Sequence, residues 1–306
     1  MLLRQVALIS DTKKVRAKDL NHVSAALQKQ VTRDFAPIWD VSATVDSFPT
    51  LEDMPVGYWP VIIMEDIRTD GAGGVHEDKN GQPFALVQLD DDWALTASHE
   101  CLEMLADPSG NRLTPSASLK KNQGKVSYLV EVCDPCEDAM NAYTVNGISM
   151  SDFYTPQYFD PKKVAGVRYS YTGAITAPRQ VLPGGYLSWT DPATDSWWQA
   201  RYFTDKLEIV KLRITNRHGR SLRSMVDAVT GLHLHDAKAV VTRPDVNFAV
   251  RASVAHQQQA AHRYTSSVAE LRDRFAIQPA SHLRGEIQRL RQAGRAARKS
   301  SDRRTR

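Results

Sequence analysis

Three side chains near the first third of the chain have types and spacing that could hold and use a metal ion. The run from Trp93 to Pro108, WALTASHECLEMLADP, predicts one helix that Asp92 caps and that the proline ends. His99 and Glu103 are four residues apart, so both side chains leave the same face one turn apart. Imidazole nitrogen and carboxylate oxygen are both zinc ligands. Glu100 points about a quarter-turn away from this pair and is the candidate catalytic base.

The same spacing occurs in the zinc motif His-Glu-x-x-His, in which the glutamate activates a metal-bound water. Here Glu103 replaces the second histidine. A catalytic zinc ion needs three protein ligands and a water, so the helix alone does not complete a site. An acidic turn about thirty residues later supplies Glu131 and Asp134. The prediction is one zinc ion, with these candidate ligands: His99, Glu103, Glu131 and Asp134. Three further acids are weaker candidates: Asp107, Glu137 and Asp138.

The motifs His99-Glu100-x-x-Glu103, Asp107-Pro108 and Glu131-x-x-Asp134-x-Cys136-Glu137 resemble those of bacterial and phage-borne proteins with a zincin-like domain. A similar skeleton occurs in the exordium, or phosphate-induced, proteins of plants. The resemblance covers the order of elements from Gln5 to Phe203. It implies a small twisted sheet packed on the metal helix, and an edge strand, here Phe84–Leu89, that binds an extended peptide.

The elements that must position the motif are read from hydrophobic periodicity. A helix is predicted over Ala17–Arg33, and strands are predicted over Gln5–Ser10, Ile38–Val45, Tyr58–Ile67 and Pro83–Leu89. The glycine-rich stretch Thr69–Gly81 is predicted as a loop. Beyond the metal helix, 167–210 is typical of β-hairpins, whereas 221–229 and 252–275 are typical of helices.

We therefore predict an α+β fold. It would combine a zincin-like small twisted mixed sheet on an active-site helix, a β-hairpin-rich second half and a helical C-terminal extension. The expected segments are a metal-binding domain over 1–210, an α-rich region over 211–280 and a basic, partly disordered tail over 281–306.

Composition restricts the functional classes. The chain has 306 residues, of which 42% are hydrophobic and 24% charged, and no long apolar run predicts a membrane span. The absence of a secretory signal pattern and the presence of three cysteines favour a cytoplasmic protein. The formal charge is +4, yet 281–306 alone carries a surplus of seven positive charges, which leaves −3 for the rest. That tail could bind an acidic partner or nucleic acid.

The predicted activity is zinc-dependent hydrolysis of peptide bonds in a peptide or protein substrate. Glu100 would take a proton from the metal-bound water and pass it to the leaving amine. A donor to the oxyanion is also required, and Tyr154 is the first candidate, with Tyr158 and His76 as others.

Other functions remain open at this point. The chain could be a catalytically inactive zincin-fold binding or assembly module, associated with a phage or mobile element. Cys101-x-Glu103 followed by Cys133-x-x-Cys136 also has some similarity to the zinc deaminase signature, although Val132 replaces the expected proline. The same cysteines could instead hold a structural zinc ion, or be inert buried thiols.

Overall fold

Residues 4–88 contain a five-stranded mixed sheet. Its strands are β1 (Arg4–Ser10), β2 (Ala43–Phe48), β3 (Tyr58–Met64), β4 (Gly74–Lys79) and β5 (Gln82–Gln88). They lie in the order β2-β1-β3-β5-β4, in which β4 alone is antiparallel to its neighbour. The parallel strands read as nearly continuous apolar runs because both faces of the sheet are covered.

The computed structural model describes residues 3–69, 72–214 and 221–230, all within a structural unit that spans 1–254. The predicted helix at 252–275, the basic tail at 281–306 and most of the predicted α-rich region lie outside these residues. No helix of the described ranges is both long and apolar enough to cross a bilayer.

Helices cover one face of the first sheet. They are α1 (Ala17–Lys29), which continues as a π-helical turn over Gln30–Phe35, the short α2 (Ala36–Trp39) and α3 (Trp93–Ala106). Apolar side chains from α1, α3 and alternate strand positions form the main core, whereas the other strand positions face a second apolar cluster. Both faces of the sheet are therefore buried.

Helix α3 agrees with the predicted metal helix in position and length. The Asp92 side chain makes no capping hydrogen bond, in contrast to the sequence prediction. At the other end of the helix, two arginines fix the C-terminal turn. Arg4 donates to the Leu105 carbonyl (2.7 Å), and Arg112 donates to the Ala106 carbonyl (2.8 Å). These cations also interact favourably with the negative end of the helix dipole.

Two sequence predictions about the first sheet are wrong. The predicted loop at Thr69–Gly81 contains β4, which pairs with β5 through a tight turn at Asn80-Gly81, where φ is +57° and +80°. The predicted edge strand at Phe84–Leu89 is therefore internal, since β5 lies between β3 and β4. The described edge next to α3 is β4.

The predicted strand at Ile38–Val45 also differs in the structure. Ile38 and Trp39 end α2, and Asp40, at φ +54°, turns the chain out of the helix before β2 begins at Ala43. The strand prediction is therefore confirmed only for Ala43–Val45, at the end of this segment.

Residues 113–211 contain the remaining strands, and antiparallel pairs are found in the segment 167–210, as predicted. These strands are β6 (Leu113–Ala117), β7 (Lys125–Leu129), β8 (Tyr143–Val145), β9 (Ile148–Met150), β10 (Tyr186–Asp191), β11 (Ser196–Arg201) and β12 (Glu208–Lys211). Five of them form an antiparallel sheet in the order β12-β11-β10-β7-β6, and β8 pairs with β9. Helix α4 (Leu222–Thr230) packs on this sheet, with Val226 in a cluster with Leu129 and Trp197.

Candidate metal centre

Helix α3 and the acidic turn after β7 bring three predicted ligands together. His99 Nε2 lies 3.3 Å from Glu103 Oε1, its neighbour one turn along α3. The same nitrogen lies 3.2 Å from Asp134 Oδ1, on the short 3-10 turn Asp134–Cys136. This turn is fixed by close packing, because a Cβ on Gly185 would lie 2.5 Å from the Asp134 carbonyl oxygen.

Each of these two separations fits a pair of ligands on one ion. Two ligand atoms bonded at 2.0–2.1 Å to one tetrahedral zinc ion lie about 3.3–3.4 Å apart. The His99–Glu103 and His99–Asp134 separations agree with that value to within about 0.2 Å. Burial alone would lower the pKa of His99, but Glu103 and Asp134 outweigh it and raise this pKa well above its ordinary value. The nitrogen therefore faces a position that favours positive charge.

Glu103 is completely buried and is held from two sides. The backbone N–H of Cys133 donates to its Oε1 (3.1 Å), and the guanidinium of Arg223 contacts its Oε2. Burial would raise the pKa of Glu103, but Arg223 and His99 outweigh it and hold this pKa well below its ordinary range. Glu103 is thus an ionised carboxylate with a fixed orientation.

Arg223 reaches the cluster from α4, which is docked by its first turn. Ser221 caps this helix by accepting the Ser224 N–H (3.0 Å), and the Arg223 N–H donates to the Gly110 carbonyl (2.9 Å). Gly110 has a φ of +63°, and a Cβ there would lie 3.1 Å from Arg223 Cβ. The side-chain oxygen of Asn111 accepts the N–H of Leu222, the first residue of α4 (2.9 Å).

The guanidinium of Arg223 is surrounded by carboxylates. Besides Glu103, its Nη1 lies 2.6 Å from Glu131 Oε2, its Nη2 lies 3.5 Å from Glu100 Oε2, and its Nε lies 3.1 Å from Asp227 Oδ2. Arg223 is only 3% exposed. Burial of this charge is compensated by four acids, and they raise the pKa of Arg223 despite burial.

His76 on β4 presents an acceptor nitrogen to the same cluster. Its Nε2 lies 3.1 Å from the Asp107 carbonyl oxygen, so Nε2 carries the proton and donates. The unprotonated Nδ1 then accepts from Arg223 Nη1 (2.6 Å) and lies 3.5 Å from Glu100 Oε2. The predicted role of His76 as an oxyanion donor does not fit this tautomer, whereas a ligand role does.

Negative charge exceeds positive charge in this region. Six acids lie in the cluster or on its rim: Glu100, Glu103, Glu131, Asp134, Glu137 and Asp227. No carboxylate oxygen of Glu131 or Asp134 accepts a hydrogen bond within the described residues, although Glu131 Oε2 lies 2.6 Å from Arg223 and Asp134 Oδ1 lies 3.2 Å from His99. Burial and the neighbouring acids raise the pKa of Glu131 well above its ordinary value, and that of Asp134 to about 6.

Possible ligand groups overlap in this cluster. Within each of four groups, one ligand atom per residue lies within 4.8 Å of the others. The groups are His99-Glu103-Cys133, His76-Glu100-Glu103, His99-Asp134-Glu137 and Glu103-Glu131-Asp134. Buried histidines and acids could thus hold a metal ion, and each of the four predicted ligands belongs to at least one group, although no group contains His99, Glu103 and Asp134 together. The residues fit a bound cation because it would supply the missing partner of the buried carboxylates.

A cavity of about 200 Å³ opens onto the cluster. His99, Glu100, Asp134 and Arg223 line its floor, and Tyr186 and glycines of the β4 end contribute to its walls. Gly74 is required there, since a Cβ would lie 2.7 Å from Glu100 Cγ. A small polar group could therefore reach both His99 and Glu100.

The predicted tyrosines differ in position. The Tyr154 hydroxyl is buried without a hydrogen-bond partner in the described residues, and burial, Tyr158, Glu131, Glu103 and Asp134 raise its pKa. Tyr154 is not among the residues that line the cavity, whereas Tyr186 is. The Tyr158 hydroxyl donates to the Gln180 carbonyl (3.0 Å) and is unsuited to the predicted donor role.

The cysteines fit the inert alternative better than the zinc alternatives. Cys101, Cys133 and Cys136 are free and buried. Of these, Cys133 alone belongs to a possible ligand group of the described residues. A deaminase or structural site would require at least two cysteines to converge.

Comparison with known proteins finds no matching family model, curated protein or solved structure. The zincin resemblance therefore rests on the short motifs, and the evidence for function lies in the cluster itself. Arg223, Asp227 and Tyr186 were not predicted as site residues. The i,i+4 pair Arg223–Asp227 is visible in the sequence, but it does not indicate which distant acids the arginine contacts.

Proposed function

We propose that this protein is a zinc-dependent hydrolase of peptide bonds, with His99, Glu103 and Asp134 as zinc ligands. The observation that supports it best is the 3.2–3.3 Å spacing of His99 Nε2 from carboxylate oxygens of Glu103 and Asp134, beside a cavity that His99 and Asp134 line. Zinc is favoured over magnesium because an imidazole nitrogen is among the ligands. Glu131, the fourth predicted ligand, instead pairs with Arg223 on the other side of the cluster.

A bound zinc ion would supply an acidified water and a polarised carbonyl. The protein residues have separate tasks around it. Glu100 is 3% exposed, lines the cavity and is fixed by Gly74, so it is placed to accept a proton and return it to the leaving amine. Tyr186 is the cavity-lining hydroxyl donor that replaces Tyr154 in this role.

Metal content tests the ligand set. Purified protein should carry about one equivalent of zinc by elemental analysis, and His99→Ala and Asp134→Asn should lose most of it. His22→Ala is the matched control, because His22 is an exposed histidine on α1 whose Nε2 lies 3.0 Å from the Asn146 carbonyl oxygen. Absence of zinc from folded wild-type protein, or its full retention in His99→Ala, would refute the proposal.

The reaction requires a second experiment. Glu100→Gln should keep its zinc and lose at least about 100-fold in hydrolysis of a mixed peptide library followed by mass spectrometry. Glu65→Gln, which changes an exposed acid remote from the cluster, should keep full activity. Equal hydrolysis by the wild type and Glu100→Gln would refute the proposed catalytic mechanism but would leave the proposal of metal binding intact.

A second candidate is a catalytically inactive binding or assembly module. Arg223 favours it, because a buried guanidinium already neutralises part of the acidic cluster without a metal. Under this function, zinc could be bound but no peptide would be cleaved by the wild type under any condition that gives full zinc occupancy.

A further inference from the structure

Glu103 divides the cluster into two cation positions. Its Oε1 faces His99 and, beyond it, Asp134, which is the position assigned to zinc above. Its Oε2 faces the opposite side, where Arg223 Nη1 lies. The first position opens to the cavity, whereas the second is filled by the protein's own side chain.

The second position has the ligands of a divalent metal. Around Arg223 Nη1 are His76 Nδ1 at 2.6 Å, Glu131 Oε2 at 2.6 Å and Glu103 Oε2. Glu100 Oε2 lies 3.5 Å from His76 Nδ1. Imidazole nitrogen and carboxylate oxygen are ligands that zinc and manganese accept, and His76, Glu100 and Glu103 form one of the possible ligand groups.

Two observations besides the acids point to a ligand there. Glu131 is 3% exposed, and its Oε1 has no hydrogen-bond partner in the described residues. The proton of His76 is held on Nε2 by the Asp107 carbonyl, which turns the Nδ1 lone pair toward the same point. This backbone contact is the arrangement that usually orients a metal-binding histidine.

We propose that Arg223 occupies the place of a second divalent cation, which binds when the guanidinium is removed. The ligands are His76, Glu131 and the shared carboxylate of Glu103. One carboxylate that bridges two ions gives the separation of about 3.5–4 Å found in two-metal sites. The inference shares Glu103 with the proposed function but does not require that the first ion be bound.

Helix α4 has contacts that do not involve the Arg223 guanidinium. The Arg223 N–H donates to the Gly110 carbonyl (2.9 Å), and the Leu222 N–H donates to Asn111 Oδ1 (2.9 Å). Gln199 donates to the Thr230 hydroxyl (2.8 Å), and Val226 packs in an apolar cluster. A metal ion that takes the place of the guanidinium would leave these contacts intact.

Metal stoichiometry tests the inference. Full-length wild type, Arg223→Met and Arg223→Met/His76→Ala are dialysed against zinc, and separately manganese, and the bound metal is counted by elemental analysis. We expect one equivalent for the wild type, two for Arg223→Met and one for the double variant. Arg179→Met is the matched control, because this arginine donates to Ser116 Oγ (2.8 Å) and lies outside the cluster.

The outcomes separate the two proposals. No gain of metal in Arg223→Met relative to the wild type would overturn the inference, whatever the wild type binds. Zero equivalents in the wild type and one in Arg223→Met would support the inference and refute the zinc ligand set proposed above. If Arg223→Met is unfolded without metal, zinc must restore its circular dichroism spectrum and must fail to do so for the double variant; otherwise the inference is wrong.

Discussion

Removal of the Arg223 charge should destabilise the protein in a manner that depends on pH. Arg223→Met keeps a long unbranched side chain in α4 but takes the only fixed positive charge from among Glu100, Glu103 and Glu131 in the described residues. Breaking a buried ion pair by removal of one partner typically destabilises by about 3–5 kcal/mol, because the remaining charges are left buried and unpaired.

The loss of unfolding free energy in Arg223→Met has an upper bound, since a proton can replace the lost charge. Protonation of one glutamate with an ordinary pKa near 4.3 requires about 1.4 kcal/mol per pH unit above that value. The bound is therefore about 4 kcal/mol at pH 7.5 and about 2 kcal/mol at pH 5.5. A carboxyl whose pKa is raised by folding, as for Glu131, binds its proton more tightly in the folded state. Stability of the variant must therefore rise as pH falls.

The assay is urea unfolding of both proteins in the presence of a chelator at pH 7.5 and 5.5. The loss of unfolding free energy in Arg223→Met should shrink by about 2–3 kcal/mol between the two values. Arg179→Met should show no such change, because its nearest partners are a hydroxyl and backbone carbonyls. A loss below about 1 kcal/mol at pH 7.5, or a loss equal at both pH values, would refute the assigned charge balance.

Other expected results follow from single contacts. Gly74→Ala places a methyl 2.7 Å from Glu100 Cγ, so peptide hydrolysis should fall at least tenfold while zinc content is unchanged, and unchanged activity would contradict this placement. Burial raises the pKa of Cys101 to about 12, so native protein at pH 8 should show no reaction with a thiol reagent until it is unfolded. Ser98→Ala removes the buried acceptor of the Ser151 N–H (3.0 Å), and urea unfolding should show a loss of about 1–3 kcal/mol.

The parts of the site that lie on local patterns could be predicted from the sequence. The pair His99 and Glu103 depends only on helical periodicity, and the structure has both on one face of α3. Asp134 required one further step, the return of the chain through β7 to the helix. Each of these residues is positioned by an element that the sequence itself indicates.

The rest depends on contacts between distant segments. Arg223 lies 120 residues after Glu103, and no periodic pattern reports that α4 docks beside the end of α3. The glycines before His76 predict a loop, whereas the Asn80-Gly81 pair after it is a turn signal for the β4–β5 hairpin. Once that turn is recognised, β4 and the direction of His76 follow from strand pairing.

The glutamate at position 103 is explained by the two cation positions. A carboxylate has two oxygens and can face His99 with one and Arg223 with the other, whereas an imidazole would place no negative charge against Arg223. Glu103→His, which creates the pattern His-Glu-x-x-His, should therefore lower the unfolding free energy, and Glu103→His/Arg223→Met should lose less than the two single changes added together. If Glu103 served only as a zinc ligand, the histidine would keep zinc affinity and stability. Additive losses in the double variant would show that Glu103 and Arg223 are not coupled.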